Sequence, residues 1–358
     1  MKKNILIIGP SLKMGGIERA SSNMANVMRQ NHDFHIYFIA FFRQEKFFKL
    51  DSGIEFFEPL GFNETKINFL RSILWMRSVI STINPDTILV FNYFYGAIVR
   101  LALAGKKYPL YISDRASPLY QWPRQVKWFN DFIYKLLPPS GIVAQTGIAA
   151  DYKRKFFKNR TRIKVIPNAL REVMLYPEIK REQMILAVGR LGDPLKGFDR
   201  LINVMALLKN LDWNLVIAGG DEDGEYLKKQ SADLGIENRI IFLGKVKEID
   251  KVYAKSGIFV IPSRSEGFPN ALCEAMAAGL PCVSFDFVAG PRDIITDGFD
   301  GLIVENGNVP ALAEKLDFLI ENEDERKRLS DNAKHITERL NQLKIGNLYL
   351  QFILGEDE

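Results

Sequence analysis

Short apolar runs alternate along this chain with longer stretches in which apolar side chains recur every three or four residues. The runs fall at 4–9, 34–41, 87–91, 110–113, 142–145 and 163–166, and again at 184–189, 214–219, 239–243, 258–262, 281–285 and 302–305. Their length and their boundaries of Gly, Pro, Asn and charged residues predict buried strands. The stretches at 16–30, 66–83, 198–209, 225–234, 271–278 and 309–321 carry the helical spacing. Strand and helix in regular alternation predict parallel sheets with helices on both faces. Two such series of six strands predict an α/β chain of two doubly wound, Rossmann-like domains. The period is lost between 167 and 182, where Pro167, Asn168 and Pro177 stand among charges. A boundary there divides the chain into 1–167 and 168–340. The tail from 322 to 354 reads as helical, with Leu329, Ala333, Ile336 and Leu340 at helical spacing. Its last part, 341–358, is expected to form a helix that packs on either domain.

Open parallel sheets bind ligands beyond the carboxyl ends of their strands, so chemistry is expected just after the strands, in a cleft between two such domains. The run at 258–262 leads into Ser263-Arg264-Ser265-Glu266-Gly267-Phe268-Pro269-Asn270-Ala271-Leu272-Cys273-Glu274-Ala275. Gly267 allows a tight turn, and Asn270 is expected to cap the helix that follows. The backbone N–H groups of Ala271 and Leu272 would then be left for an anion such as a diphosphate. Glu274, one turn inside that helix, is placed to accept hydrogen bonds from a ribose diol. Glu266 precedes the turn, where a sugar ring would lie.

Composition narrows the classes. The chain has 358 residues, 47% of them hydrophobic and 25% charged, which suits a globular protein of two cores. Two cysteines, Cys273 and Cys282, supply neither a disulfide framework nor a four-ligand zinc site. They read as small buried apolar groups in a reducing compartment. The apolar run at 4–8 is too short for a signal peptide and stops at Gly9-Pro10. No run of 18 apolar residues spans a membrane. The net charge of +5 hides an asymmetry: residues 1–167 carry 25 Lys and Arg against 11 Asp and Glu, and residues 168–358 carry 23 against 32. So basic a first half suits an anionic partner or simply a solubilising surface.

The Glu266 and Glu274 pair, an E-x7-E spacing, resembles the donor-binding signature of the GT-B-fold retaining glycosyltransferases of family 4, the group 1 glycosyltransferases. The resemblance runs through nearly the whole chain. It includes Gly15-Gly16, Ile166-Pro167-Asn168, Gly189-Arg190-Leu191 with Lys196-Gly197, Phe242-Leu243-Gly244, Ala277-Ala278-Gly279-Leu280-Pro281, and Asp297-Gly298 with Asp300-Gly301-Leu302. It implies the GT-B fold, two Rossmann-like domains facing across a cleft, with C-terminal helices that cross back to the first. It also implies transfer of a hexose or N-acetylhexosamine from a nucleotide sugar, UDP-linked as the commonest donor, although guanine remains open as the base. By the same resemblance Glu274 binds the donor ribose, and Glu266 contacts the transferred sugar. Arg190 and Lys196 clamp the diphosphate and stabilise charge on the departing nucleotide. Gly15, Gly16, Asn168, Val246, Gly267, Phe268, Asn270, Ala271 and Leu272 complete the donor-binding set. No cofactor and no essential metal are implied. The Asp-x-Asp string at Asp221-Glu222-Asp223 reads as a helix start rather than a metal site.

One departure concerns the acceptor side. Many members of the family carry a histidine after a late strand of the first domain, where this chain has Ser113-Asp114-Arg115. His32, His35 and His335 stand at no motif. Asp114, Arg115 and Glu18 are therefore the candidates for acceptor binding. An arginine can hold a phosphate oxygen but cannot serve as a general base. Two segments of the basic half, 66–83 and 122–137, set Phe69, Leu70, Leu74, Trp75, Trp122, Trp128, Phe129, Phe132 and Tyr134 beside Arg71, Arg77, Arg124, Lys127 and Lys135. These are either core-facing stripes or an interfacial surface for anionic lipid. Together with the charge, they favour a polyprenyl-diphosphate-linked saccharide as acceptor and a peripheral place on the inner face of the cytoplasmic membrane. Competing readings are a nucleotide-sugar epimerase of the same fold and a basic nucleic-acid-binding protein. The first lacks an evident catalytic histidine with acidic pairs, and the second lacks a nucleic-acid-reading motif. A dinucleotide oxidoreductase is disfavoured because no G-x-G-x-x-G follows the first strand.

Overall fold

The computed structural model describes residues 2–220 and 224–356, so Asp221, Glu222 and Asp223, with the expectation attached to them, lie outside the described residues. The chain divides into two compact units, residues 1–169 with 341–358, and residues 170–340.

The first unit opens with β1 (Lys3–Gly9), α1 (Gly16–Arg29), β2 (Phe34–Ala40) and β3 (Glu55–Phe57). It continues through α2 (Phe69–Ile83), β4 (Thr87–Phe91), α3 (Tyr93–Ala102), β5 (Leu110–Asp114) and α4 (Arg124–Leu136). It then runs through β6 (Gly141–Ala144), α5 (Gly147–Phe157) and β7 (Arg162–Val165). The strands form a parallel sheet in the order β3-β2-β1-β4-β5-β6-β7. β3 escaped the sequence pattern because it is a three-residue edge strand that begins on the exposed Glu55. α2 starts at Phe69 rather than 66 because the Asn68 side chain accepts from the Arg71 amide at 3.2 Å and caps the helix there.

The second unit contains β8 (Met184–Val188), α6 (Phe198–Leu207), β9 (Asn214–Ala218), α7 (Glu225–Asp233) and β10 (Ile240–Gly244). α8 (Ile249–Lys255), β11 (Ile258–Ile261), α9 (Asn270–Ala277), β12 (Cys282–Phe285), α10 (Pro291–Ile294) and β13 (Leu302–Val304) follow. α11 (Val309–Glu321), α12 (Glu323–Ala333) and α13 (Ile336–Arg339) close it. Its parallel sheet has the order β10-β9-β8-β11-β12-β13. In both sheets the strand order reverses beside the unit's first strand, between β1 and β4 and between β8 and β11. The loops leaving those neighbours part there and open a crevice.

The last helix, α14 (Gln342–Leu354), belongs to the first unit. The tail is thus three helices rather than one run. Asn341 starts α14 afresh, its side chain accepting from the amides of Leu343 and Lys344. β1 shows why the helix packs where it does. Ile5, Leu6, Ile7 and Ile8 are all fully buried, and they alternate between two cores. Ile5 and Ile7 join Ile345, Tyr349, Phe352 and Ile353 of α14, while Leu6 and Ile8 join Met76 and Ile80 of α2. Among the described residues, no helix is long and apolar enough to cross a membrane.

Candidate active site

The crevice of the second unit is built from the loops after β8 and β11. After β8, Asp193 caps a single 3-10 turn, Pro194–Lys196, by accepting from the Leu195 amide at 3.1 Å. Gly197 ends the turn at φ +70°, and a Cβ there would stand 2.1 Å from the Pro262 carbonyl oxygen. The turn therefore lies directly on the exit of β11. That contact brings Lys196 to Glu266: its Nζ donates to Oε1 at 2.8 Å and Oε2 at 2.9 Å. The Ser263 hydroxyl donates to the same Oε1 at 2.8 Å. Arg264 fastens the two loops. Its amide donates to the Leu195 carbonyl at 2.7 Å, and its guanidinium forks onto Asp199 at 2.7 and 2.6 Å. Those hydrogen bonds hold the Asp199 carboxyl below its usual range. Arg190 differs from Lys196: its side chain is 74% exposed and pairs with Asp193 of its own turn at 2.9 Å.

The structure changes the expected start of α9. Asn270 is its first helical residue, not its cap; Pro269 precedes the helix and has no side-chain oxygen to offer. The Pro269 carbonyl turns inward and accepts from the Leu272 amide at 3.1 Å, so that amide is already engaged. Among the described residues, the first-turn amide with no such backbone partner is that of Ala271. Gly267 lies in the bend before it, half-buried. Phe268 is buried in the hydrophobic core, so only its backbone is left to meet a ligand. Val246, just beyond β10, also packs partly against that core.

Glu274 is buried one turn into α9. Its Oε2 accepts from the Arg171 guanidinium at 3.1 Å and from the Tyr253 hydroxyl at 3.4 Å. Arg171 forks onto Asp250, with one nitrogen 2.9 Å from Oδ2 and the other in still closer contact with Oδ1. Burial works against the charge of Arg171, but the bonds and charges of Asp250 and Glu274 outweigh it and raise its pKa. The sequence reading missed Arg171, Tyr253 and Asp250. They come from the start of the unit and from α8, and no spacing links them to Glu274.

In the first unit, a Cβ on Gly15 would stand 2.1 Å from Oε2 of Glu18, whose side chain is buried. The missing side chain at Gly15 thus makes room for Glu18. Gly16 faces open space: among the described residues nothing lies within 4 Å of a Cβ placed there. Asp114 and Arg115 do not act as a pair. Successive residues leaving a strand point to opposite faces. Asp114 turns to Lys153 at 2.6 Å, and that ammonium also sits 3.5 Å from the centre of the Tyr93 ring. Asp114 is thus buried and paired with Lys153. Arg115 turns to the other face. It donates to the Asn168 carboxamide oxygen at 2.5 Å and to the Ser113 hydroxyl at 3.4 Å, and it lies 5.5 Å from the centre of the Phe91 ring. Burial lowers its pKa. The Ser113 and Tyr349 hydroxyls stand 2.9 Å apart beside it. The side-chain oxygen of Asn168, a donor candidate, accepts from Arg115. His32, His35 and His335 are all exposed, and none lies in these clusters.

The two aromatic-basic segments divide between core and surface. Trp75 and Phe129 pack inward, and Tyr134 is fully buried. Leu70, Leu74, Trp128 and Leu136 are exposed by 59 to 68%, and Trp128 stacks on Phe132 with ring centres 5.3 Å apart. Phe69 of α2 meets Phe129 of α4 edge-on at 5.3 Å, so the two helices adjoin. Arg77 is spent on the carbonyls of Ala102 and Ala104 at the end of α3.

Residues 176–336 match the family described as "Glycosyl transferases group 1". A relative from Campylobacter jejuni is 28% identical over 92% of this chain and 92% of its own. Its name is "GalNAc-alpha-(1->4)-GalNAc-alpha-(1->3)-diNAcBac-PP-undecaprenol alpha-1,4-N-acetyl-D-galactosaminyltransferase". The solved structure of the "lipopolysaccharide outer core galactosyltransferase WaaB apo form" superposes with a TM-score of 0.77 at 23% identity, over 99% of each chain. An Anabaena protein, HepE, solved "in complex with UDP", gives 0.77 at 19% identity over 99% of this chain and 100% of that one. At such identities the two structures establish the fold alone, and the expected GT-B fold is met.

Proposed function

Residues 176–336 match the group 1 glycosyltransferases, and from that match we propose that the chain is a retaining glycosyltransferase using a UDP-sugar donor and a lipid-linked saccharide acceptor. It transfers a hexose or N-acetylhexosamine to a polyprenyl-diphosphate-linked glycan during surface polysaccharide or glycan assembly. The observation that carries this reading is the Lys196–Glu266 pair, held at 2.8 Å where the strand order reverses, with Glu274 buried on the helix that follows. A cation and a carboxylate side by side suit a ligand with one anionic end and one hydroxyl-rich end. The Campylobacter relative's name specifies an undecaprenol-diphosphate glycan, and the Anabaena structure holds UDP.

In the proposed mechanism Glu274 accepts the ribose hydroxyls, and Val246 and its neighbours meet the base. Arg190, Lys196 and the Ala271 amide receive the diphosphate. Glu266 holds hydroxyls of the transferred sugar. The bond between the anomeric carbon and the phosphate oxygen breaks as the acceptor hydroxyl bonds to that carbon from the same face. The acceptor proton passes to the departing phosphate oxygen. Lys196 stabilises the charge that develops there, so neither a protein base nor a divalent ion is required. Arg115 is the acceptor-side candidate for a diphosphate oxygen, with Glu18 nearby in sequence to the Gly15-Gly16 loop. The exposed apolar residues of α2 and α4, set among Arg71, Arg124, Lys127 and Lys135, suit an anionic membrane surface.

The test is transfer from UDP-glucose, UDP-galactose, UDP-N-acetylglucosamine and UDP-N-acetylgalactosamine to a short polyprenyl-diphosphate glycan in chelator. The expected result is an acceptor heavier by one sugar, with the donor's anomeric configuration kept by NMR. Interconversion of the free nucleotide sugars without a heavier acceptor would instead identify an epimerase. A β linkage would overturn retention, and loss of all activity in chelator would overturn metal independence.

A further inference from the structure

We infer that Arg171 is a positioning residue for donor binding: it fixes the Glu274 carboxylate in the orientation that reads the ribose 2′-hydroxyl. This rests on the reading of Glu274 as the ribose-binding group. A carboxylate on a helix has freedom about its side-chain bonds, and a diol is held well only when the carboxylate plane is fixed. Glu274 is fixed through Oε2, which accepts from Arg171 at 3.1 Å and from Tyr253 at 3.4 Å. Arg171 is itself immobilised. Its planar fork closes on Asp250, one bond being 2.9 Å long, and the same Asp250 carboxylate accepts from the Met174 amide at 3.0 Å. The Arg171 side chain is 20% exposed, that of Asp250 13% and that of Glu274 9%, so the relay runs through a site largely shielded from water. A charge-assisted bond in such a place is stronger and more directional than on the surface.

The chain of support thus runs from Asp250 on α8 through Arg171 to Glu274 on α9. Lysine at 171 would keep the charge but lose the fork that engages both carboxylates at once. The role is separate from chemistry at the diphosphate: Lys196 bonds Glu266, and Arg171 does not.

The experiment is calorimetric binding of UDP and 2′-deoxy-UDP to wild-type, Glu274→Ala, Arg171→Ala, Arg171→Lys and Asp250→Asn proteins, with melting temperatures as controls. Wild type is expected to bind UDP about tenfold or more tightly than 2′-deoxy-UDP, the scale of a hydrogen bond to a charged group. Glu274→Ala should abolish that preference; if it does not, the ribose reading of Glu274 fails. With that reading upheld, Arg171→Ala should reduce the preference to about twofold or less, with Arg171→Lys in between. A structural role alone would lower the melting temperature without changing the ratio of the two affinities. A wild-type ratio in Arg171→Ala, or tighter UDP binding than wild type, would overturn the proposal. Should Arg171→Ala not fold, Asp250→Asn decides: it leaves both Arg171 and Glu274 in place but weakens the fork. A lowered ratio supports the relay, and an unchanged ratio overturns it.

Discussion

At Gly197 the missing side chain is what lets the Lys196 turn rest on the Pro262 carbonyl. An added Cβ would stand 2.1 Å from that oxygen, on a backbone already at φ +70°. Gly197→Ala should cost about 1–3 kcal/mol from strain and displacement together, read as a lower melting temperature with reduced turnover. Lys196→Ala tests chemistry rather than placement. Turnover should fall by about a hundredfold or more, beyond any loss of UDP affinity, because the developing charge on the leaving diphosphate loses its fixed partner. Near-normal turnover would remove Lys196 from the mechanism. Asp199 supplies a pH effect. Arg264 holds its pKa below the ordinary 3.8 in the folded protein. The pair's contribution is therefore present above 3.8 and fades as the pH falls through the lower folded value. Arg264→Gln should remove part of the acid dependence of stability below pH 3.8, measured by melting across pH.

At the scale of elements, α9 and β12 shelter both cysteines. Burial pushes the Cys273 and Cys282 thiols up, and the carboxylate of Glu274 adds to the effect at Cys273. A disulfide-exchange reagent should label neither in the native protein and both after denaturation, so thiol release reports the opening of this unit. Fast labelling without denaturant would contradict the packing. The seam between α1 and α14 depends on Gly346: a Cβ there would stand 2.3 Å from a methyl carbon of Val27. Gly346→Ala overpacks that seam and should lower stability by about 1–3 kcal/mol. α2 and α4 show how far a helical period reads. It located both segments, but each helix divides its aromatic residues between core and solvent, and which residue goes where depends on what covers the helix. Trp75 goes inward against Phe62, while Trp128 remains 66% exposed.

At the scale of the whole molecule, α14 completes the first unit although it follows the second in the chain. Removing residues 341–358 would uncover the face formed by Ile5, Ile7 and Tyr111. The shortened protein should lose the folded first unit and aggregate, while the Cys273 and Cys282 thiols stay protected if the second unit survives. The exposed apolar residues of α2 and α4 belong to the same scale. The protein should float with vesicles containing anionic lipid and less with neutral ones, and Trp128→Glu with Leu70→Glu should weaken flotation. Equal absence from both lipid fractions would end the membrane proposal. The alternating pattern by itself determined the two parallel sheets, the strand ends and the segments after them that carry Glu266, Glu274, Lys196 and Gly16. It could do so because buried strands and amphipathic helices leave a local periodic trace. Only the tertiary structure decided that Arg171 holds Glu274, that Asn168 holds Arg115 and that Asp114 turns away to Lys153. Those partners lie far apart in sequence, and the direction of a side chain at the end of a strand depends on which helix covers that face. A period records burial, but it carries no trace of the distant group that a buried charge will meet.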